Sequence, residues 1–115
     1  MIKMLVTGGR DFADADRVEK VMRGMMGRFP GFCVVQGGAR GADSLARAWC
    51  LANGVPCITI DACWDYYGRQ RAGGIRNQWM LTYNDISFVA AFPGGSGTAD
   101  MVRRAKRMGI EVYEA

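Results

Sequence analysis

Apolar residues in this chain fall into two patterns that alternate from end to end: short continuous runs, and stretches where they recur every three or four positions. Ile2–Val6 is a continuous run ending at Thr7-Gly8-Gly9, the signature of a buried strand. Asp14 or Asp16 can then cap a helix whose Val18, Val21, Met22 and Met25 share one face, and Phe29-Pro30-Gly31 stops it. Phe32–Val35 predicts a second strand, followed by Gln36-Gly37-Gly38. The next helix carries Leu45, Trp49 and Ala52 on one face, with Asn53-Gly54 as a left-handed stop. Pro56–Ile60, with β-branched Ile58, Thr59 and Ile60, predicts a third strand. Residues 61–74 show no clear period and carry Trp64, Tyr66, Tyr67, Arg69 and Arg71; Ile75–Tyr83 then reads as helical. Ile86–Phe92 predicts a fourth strand closed by Pro93-Gly94-Gly95-Ser96-Gly97-Thr98. A last helix from Thr98 places Met101, Val102, Ala105 and Met108 inward. Gly109 ends it before a short fifth strand, Ile110–Tyr113.

Strands that are apolar throughout, rather than alternating, belong to parallel sheets covered on both faces. Right-handed crossovers then give a Rossmann-like, doubly wound α/β fold, a mostly parallel five-stranded sheet with helices on both faces. A length of 115 residues accommodates one domain, 1–115, and neither a repeat nor a linker interrupts it.

Composition adds three constraints. Sixteen glycines are gathered into groups, Gly8-Gly9, Gly37-Gly38-Ala39-Arg40-Gly41, Gly73-Gly74 and Gly94-Gly95-Ser96-Gly97, as expected of loops that turn sharply or approach a ligand closely. The formal charge of +4 favours anionic partners, with much of the excess in Arg103-Arg104-Ala105-Lys106-Arg107, which reads as a solvated helix face. Histidine is absent, which removes serine or cysteine triads built on imidazole and the commoner zinc sites. Four cysteines without a Cys-x-x-Cys pair read as free thiols and fit a reducing cytoplasm. The first apolar run is too short for a spanning segment, so no membrane association is expected.

In open parallel sheets, ligands collect beyond the carboxyl ends of the strands, where the strand order reverses. Three glycine clusters follow predicted strands one, two and four, and two of them, ending at Gly41 and Gly97, lead into helices. A helix amino terminus presents unpaired N–H groups and the positive end of a dipole, which suits phosphate. These loops are neither a Walker A motif nor a Gly-x-Gly-x-x-Gly fingerprint, so P-loop hydrolysis and ordinary dehydrogenase chemistry are not expected. No resident cofactor and no metal are expected either. The candidate ligand contacts are Gly8, Gly9, Arg10 and Asp11; Gly37, Gly38, Arg40, Gly41 and Asp43; Arg76 and Asn77; and Pro93, Gly94, Gly95, Ser96, Gly97 and Thr98. Arg10 and Arg40 are either bidentate phosphate ligands or solvated loop arginines. Asp43 either touches ligand or serves the helix dipole, and Asn77 either anchors ligand or caps a helix. Trp64 is open between stacking on a base and packing, whereas Tyr66 and Tyr67 read as structural.

Taken together and in order, Val6–Phe12, Gln36–Asp43, Ala72–Asn77 and Phe92–Thr98 resemble the YspA/YpsA-related branch of the SLOG superfamily, which is named for the DNA-processing DprA/Smf proteins and the Lonely Guy phosphoribohydrolases. The resemblance implies a Rossmann-like domain that binds nucleotides or nucleotide-derived signals, often as a homodimer or higher homo-oligomer. In Lonely Guy enzymes the last motif continues Gly-Gly-x-Gly-Thr-x-x-Glu, and its glutamate assists cleavage of base from ribose phosphate with an upstream arginine. Arg76 matches that arginine in kind and order, but Met101 stands at the glutamate position with Asp100 before it. Consecutive helical residues point about 100° apart, so Asp100 is no simple replacement. If the chain is an enzyme, a nucleoside-monophosphate phosphoribohydrolase, its catalytic candidates are Arg76, Asp11, Asp43 and Asp100. The leading expectation is a sensor, carrier or sequestering protein for a nucleotide-like ligand. A phosphoribohydrolase comes second, and a nucleic-acid binder using the basic last helix third.

Overall fold

The five apolar runs form the five strands of one sheet in the computed structural model of the protein: β1 (Lys3–Thr7), β2 (Cys33–Gln36), β3 (Cys57–Thr59), β4 (Phe88–Ala91) and β5 (Glu111–Glu114). The structure describes residues 1–115 apart from the side chains of Arg69 and Gln70, so the Arg69 side chain noted above lies outside the described residues. The strand order is β3-β2-β1-β4-β5 and every pairing is parallel, rather than mostly so. The chain winds outward from β1 to β3, then returns to β1's other side for β4 and β5. The order therefore reverses between β1 and β4.

Side chains alternate across the sheet and build two cores. Met4, Val6, Val34 and Ala90 face α1 (Ala15–Arg28) and α2 (Ala42–Asn53). Leu5, Val35 and Val89 face α4 (Arg69–Tyr83) and α5 (Ser96–Arg107). The central strands are covered on both sides, which is why they are apolar throughout, whereas the edge strands β3 and β5 are largely exposed.

Asp14, not Asp16, caps α1, its carboxylate accepting from the Arg17 amide at 3.1 Å. Gly54 ends α2 in the left-handed conformation at φ 69°. Three details depart from the sequence reading. The buried stripe of α2 is Ala42, Ala46 and Cys50; Leu45 and Trp49 flank it and Ala52 is exposed. Small residues at i, i+4, i+8 let the helix lie close to the sheet, and the bulky ones are displaced to its margins. The irregular stretch contains a single turn, α3 (Trp64–Tyr67), and α4 begins at Arg69, running through Gly73-Gly74. Those two glycines are therefore helical rather than a loop, because burial of Ala72, Met80 and Leu81 holds the helix together where propensity alone would break it. Finally, α5 starts at Ser96 and leaves Met108 exposed. No described helix is long and apolar enough to cross a membrane.

Candidate functional site

The reversal of strand order leaves a crevice above β1 and β4, and the loops after β1, β2 and β4 meet around it. The Gly9 amide donates to the Pro93 carbonyl at 2.9 Å, and the Ala42 amide donates to the Gly9 carbonyl at 3.2 Å. Close approach demands glycine at several of these positions. A Cβ on Gly8 would come within 2.5 Å of the Ala42 Cβ, and one on Gly9 within 3.0 Å of the Gly94 Cα. One on Gly94 would collide with Thr98 Oγ1 and come within 2.5 Å of the Gly9 nitrogen. Gly41 adopts φ 84°, and its Cβ would overlap the Gly9 carbonyl oxygen, so it braces the loops and does not line the cleft. Gly95 and Gly97 differ: a Cβ at either would meet open space. They face the cleft, a cavity of about 1080 Å³.

Around that cleft stand Gly8, Gly9, Arg10 and Asp11 from the first loop, Asp43 from α2, Arg76 and Asn77 from α4, and Pro93 through Thr98 with Asp100 from the last motif. Gly37, Gly38 and Arg40 line a smaller adjoining pocket of about 300 Å³ together with Asp61. Arg10, Ala39, Trp64 and Arg76 border both cavities.

The second loop is fastened by its own side chains. Asp43 Oδ2 accepts from the amides of Gly37 (3.1 Å) and Ala39 (3.2 Å), and Gln36 Oε1 accepts from the Gly38 amide at 2.6 Å. Gln36 Nε2 in turn donates to Thr59 Oγ1. The amides of Gly37 and Ala39 are thus taken by a buried carboxylate of the protein and that of Gly38 by a buried side-chain amide, which makes Asp43 a loop anchor. Burial pushes Asp43 above the usual carboxylate range, outweighing the opposing amide bonds and the nearby arginine charges. Asp43→Ala, which strands one buried and one half-buried donor, is expected to lose about 2–4 kcal/mol in urea denaturation. Asp43→Asn keeps an acceptor and is expected to stay within about 1 kcal/mol of the parent at neutral pH. Because the folded-state value is raised, the contribution of Asp43 is greatest below the unfolded value of about 4 and is lost as pH rises through the raised value. The stability of Asp43→Asn relative to the parent should therefore rise across that interval.

A second network ties α4 to α5. Arg76 Nη1 donates to the Gly37 carbonyl at 2.6 Å, and its Nε to Asn77 Oδ1 at 3.1 Å. Asn77 Nδ2 donates to Asp100 Oδ2 (2.9 Å) and to the Gly97 carbonyl (3.3 Å). Arg104 Nε and Arg103 Nη2 close on the same carboxylate at 2.9 and 3.0 Å. Burial lowers the Arg76 pKa against the attraction of Asp43. Burial also acts to raise Asp100, but the bonds from Asn77 and Arg104 and the charges of Arg104 and Arg103 overcome it and hold the carboxyl below its usual range. Asn77 lies within α4 and caps nothing; it joins two helices. Arg40 and Asp11 form a long exposed pair at 3.8 Å, of little energetic weight.

At the amino terminus of α5 the situation reverses. Gly95 is the cap residue and has no side chain to offer, and the amides of Ser96, Gly97 and Thr98 donate to no protein group among the described residues. This twelve-residue helix points an unfilled set of donors and the positive end of its dipole into the cleft. Met101, at the position of the Lonely Guy glutamate, is fully buried in the core shared by β4 and α4.

The cleft also holds Trp64, whose sequence reading is open between stacking and packing, and residues that the sequence did not point to. Trp64 lines both cavities with the Arg10 guanidinium 5.7 Å from its ring centroid. Gly73 and Gly74 form part of the wall, and Arg103 and Arg104, read as solvated, turn back to Asp100. Their signal was present only as a glycine pair inside an unassigned stretch and as Asp100 three and four residues before two arginines.

A family model described as YspA, cpYpsA-related SLOG family matches residues 2–67, more than half of the chain and inclusive of the first two loops. The Gene 61 protein of Mycobacterium phage D29 is 33% identical over 120 positions, which span 97% of this chain and 94% of that protein. No solved structure matches. With the reversed-order parallel sheet and the glycine loops at its rim, these matches establish that the chain belongs to the YspA, cpYpsA-related SLOG family.

Proposed function

We propose that the protein binds a nucleotide or nucleotide-derived phosphate ligand in the large cleft, acting as a sensor, carrier or sequestering protein, with the phosphate seated on the amino terminus of α5. The observation that carries this reading is a difference between two glycine loops: after β2 the amides of Gly37, Gly38 and Ala39 are taken by Asp43 and Gln36, while before α5 those of Ser96, Gly97 and Thr98 meet no protein acceptor among the described residues. Unpaired amides beside a helix dipole favour an anion, and Arg10 and Arg76 stand on the same cleft to add charge-assisted bonds. The carboxylates that share the wall are mostly engaged: Asp14 with the cap of α1, Asp43 with loop amides, Asp100 with two arginines.

Against a phosphoribohydrolase weighs the burial of Met101 at the glutamate position, with the adjacent Asp100 already held by Asn77, Arg103 and Arg104. Against nucleic-acid binding weighs the engagement of Arg103 and Arg104 with Asp100, which interrupts the basic face of α5.

Calorimetric titration with nucleoside monophosphates, ribose 5-phosphate and pyrophosphate tests the reading. At least one is expected to bind saturably, and Arg76→Ala should weaken it about tenfold or more, the scale of one charge-assisted contact. Absence of binding across the panel overturns the proposal. Release of free base from any monophosphate would move the assignment to the hydrolase, and steeply salt-dependent DNA binding to the nucleic-acid reading.

A further inference from the structure

We infer that Trp64 is the stacking face for the nucleobase of the ligand, so that the site selects nucleotides over non-aromatic phosphates; this rests on the phosphate reading above. The indole opens α3, beyond the end of β3, where an irregular connection carries it over the crevice. It is 38% exposed and borders the main cavity and the smaller pocket beside it. One side chain already uses its ring. The Arg10 guanidinium lies 5.7 Å from the centroid, so the ring already takes a planar group on its face, which a base would have to displace.

The wall beneath has been kept bare. Gly73 is an interior residue of α4, where glycine costs about 1 kcal/mol relative to alanine. A Cβ there would lie 3.6 Å from the Trp64 ring, ordinary contact, so nothing in the packing requires the glycine. A larger side chain at this position would project against the indole and into the cleft. Absence of a side chain thus costs helix stability and leaves room next to an aromatic face.

The polar neighbour fits the same ligand class. The Asp61 carboxylate overlies Gly38 in the smaller pocket, within the field of the Arg76 guanidinium on the same wall. A carboxylate there repels a second phosphate and accepts from an amino or hydroxyl group, which a nucleoside supplies. A base displacing Arg10 from the indole also releases that guanidinium toward the phosphate.

The test compares AMP, GMP, CMP and UMP with ribose 5-phosphate, and adds adenosine as the phosphate-free arm, on the full chain by calorimetry and tryptophan fluorescence. At least one monophosphate is expected to bind about tenfold or more tighter than ribose 5-phosphate and to quench fluorescence. Trp64→Ala should reduce that monophosphate to the affinity of ribose 5-phosphate, which itself stays unchanged, and Trp64→Phe should restore most of the difference. Gly73→Leu, which fills the space by the ring, should lose the same increment. Equal binding of monophosphates and ribose 5-phosphate, or monophosphate binding indifferent to Trp64→Ala, overturns the stacking role while leaving the phosphate site standing. Adenosine binding that depends on Trp64, with ribose 5-phosphate inert, would overturn the phosphate site and uphold the stacking face. Failure of every probe overturns both.

Discussion

Gly95→Asp is expected to weaken phosphate-ligand binding by about a hundredfold or more while the protein melts no lower than the parent. Gly95 is the cap residue of α5, with φ −99° and nothing within 4 Å of where a Cβ would sit, so the fold has room for the side chain. Aspartate is among the preferred cap residues and its carboxylate accepts from the second or third helical amide. Those are the donors left free in the cleft. The substitution supplies an internal anion in the place proposed for the external one, adding a negative charge that repels phosphate and favours the helix dipole. Gly95→Ala separates charge from bulk: it offers no acceptor and should retain most of the affinity. Ligand titration and thermal denaturation of both variants check the expectation. Unimpaired binding by the aspartate variant would place the anion elsewhere.

The largest loss of stability is expected at a glycine outside the lining of the cleft. Gly41→Ala should lower stability by about 3 kcal/mol or more, from two causes that act together. Its φ of 84° lies in a region that side chains with a Cβ rarely adopt, and the Cβ would overlap the Gly9 carbonyl. That carbonyl accepts from the Ala42 amide and from the Phe12 amide, so displacing it disturbs the first loop and the entry to α2 at once. The melting temperature should fall on the order of 10 °C or more, and ligand affinity should fall with it because the loops no longer meet. Gly31→Ala, at a φ of 83° but with open space around it, carries the backbone cost alone and should fall less. Circular dichroism melts of the two variants would expose the difference; equal losses would mean that contact between the loops contributes nothing.

The two glycine loops give the cleft a division of labour. Asp43 is a carboxylate bound by backbone amides, buried at the price of a raised pKa, and it gives the loop after β2 a fixed shape. Arg76 then spans from that loop to Asn77, and Asn77 reaches the carboxylate of Asp100 and the first turn of α5. The free amides of α5 are thereby oriented by a chain of bonds that begins in the second loop. A ligand at α5 would meet donors already in position, which reduces the ordering cost of binding.

Much of the architecture was legible along the chain. Continuous apolar runs marked β1, β2 and β4, and the spacing of Val18, Met22 and Met25 marked α1, because burial on two faces or on one leaves different periods in a sequence. Met101 also read correctly as core, from its place in the stripe with Ala105. Gathering of the first, second and fourth loops at one rim followed from parallel strands alone.

Other assignments depended on neighbours distant in sequence. Nothing local distinguishes Gly41, which braces Gly9, from Gly95, which faces open space; the difference is the presence of another loop. Gly73-Gly74 reads as a break, yet burial of Ala72, Met80 and Leu81 carries α4 through it. Asp43, open along the chain between ligand contact and the helix dipole, gained a part visible only in the fold, as acceptor for the amides of Gly37 and Ala39. Trp64 reached the cleft only because the connection after β3 folds over it. The amino-acid order by itself determined the five strands and most of the helices, since backbone propensity and hydrophobic period act over a few residues. Tertiary structure decided which donors stay free for a ligand, because hydrogen-bond satisfaction depends on what comes within about 3 Å once the chain is closed.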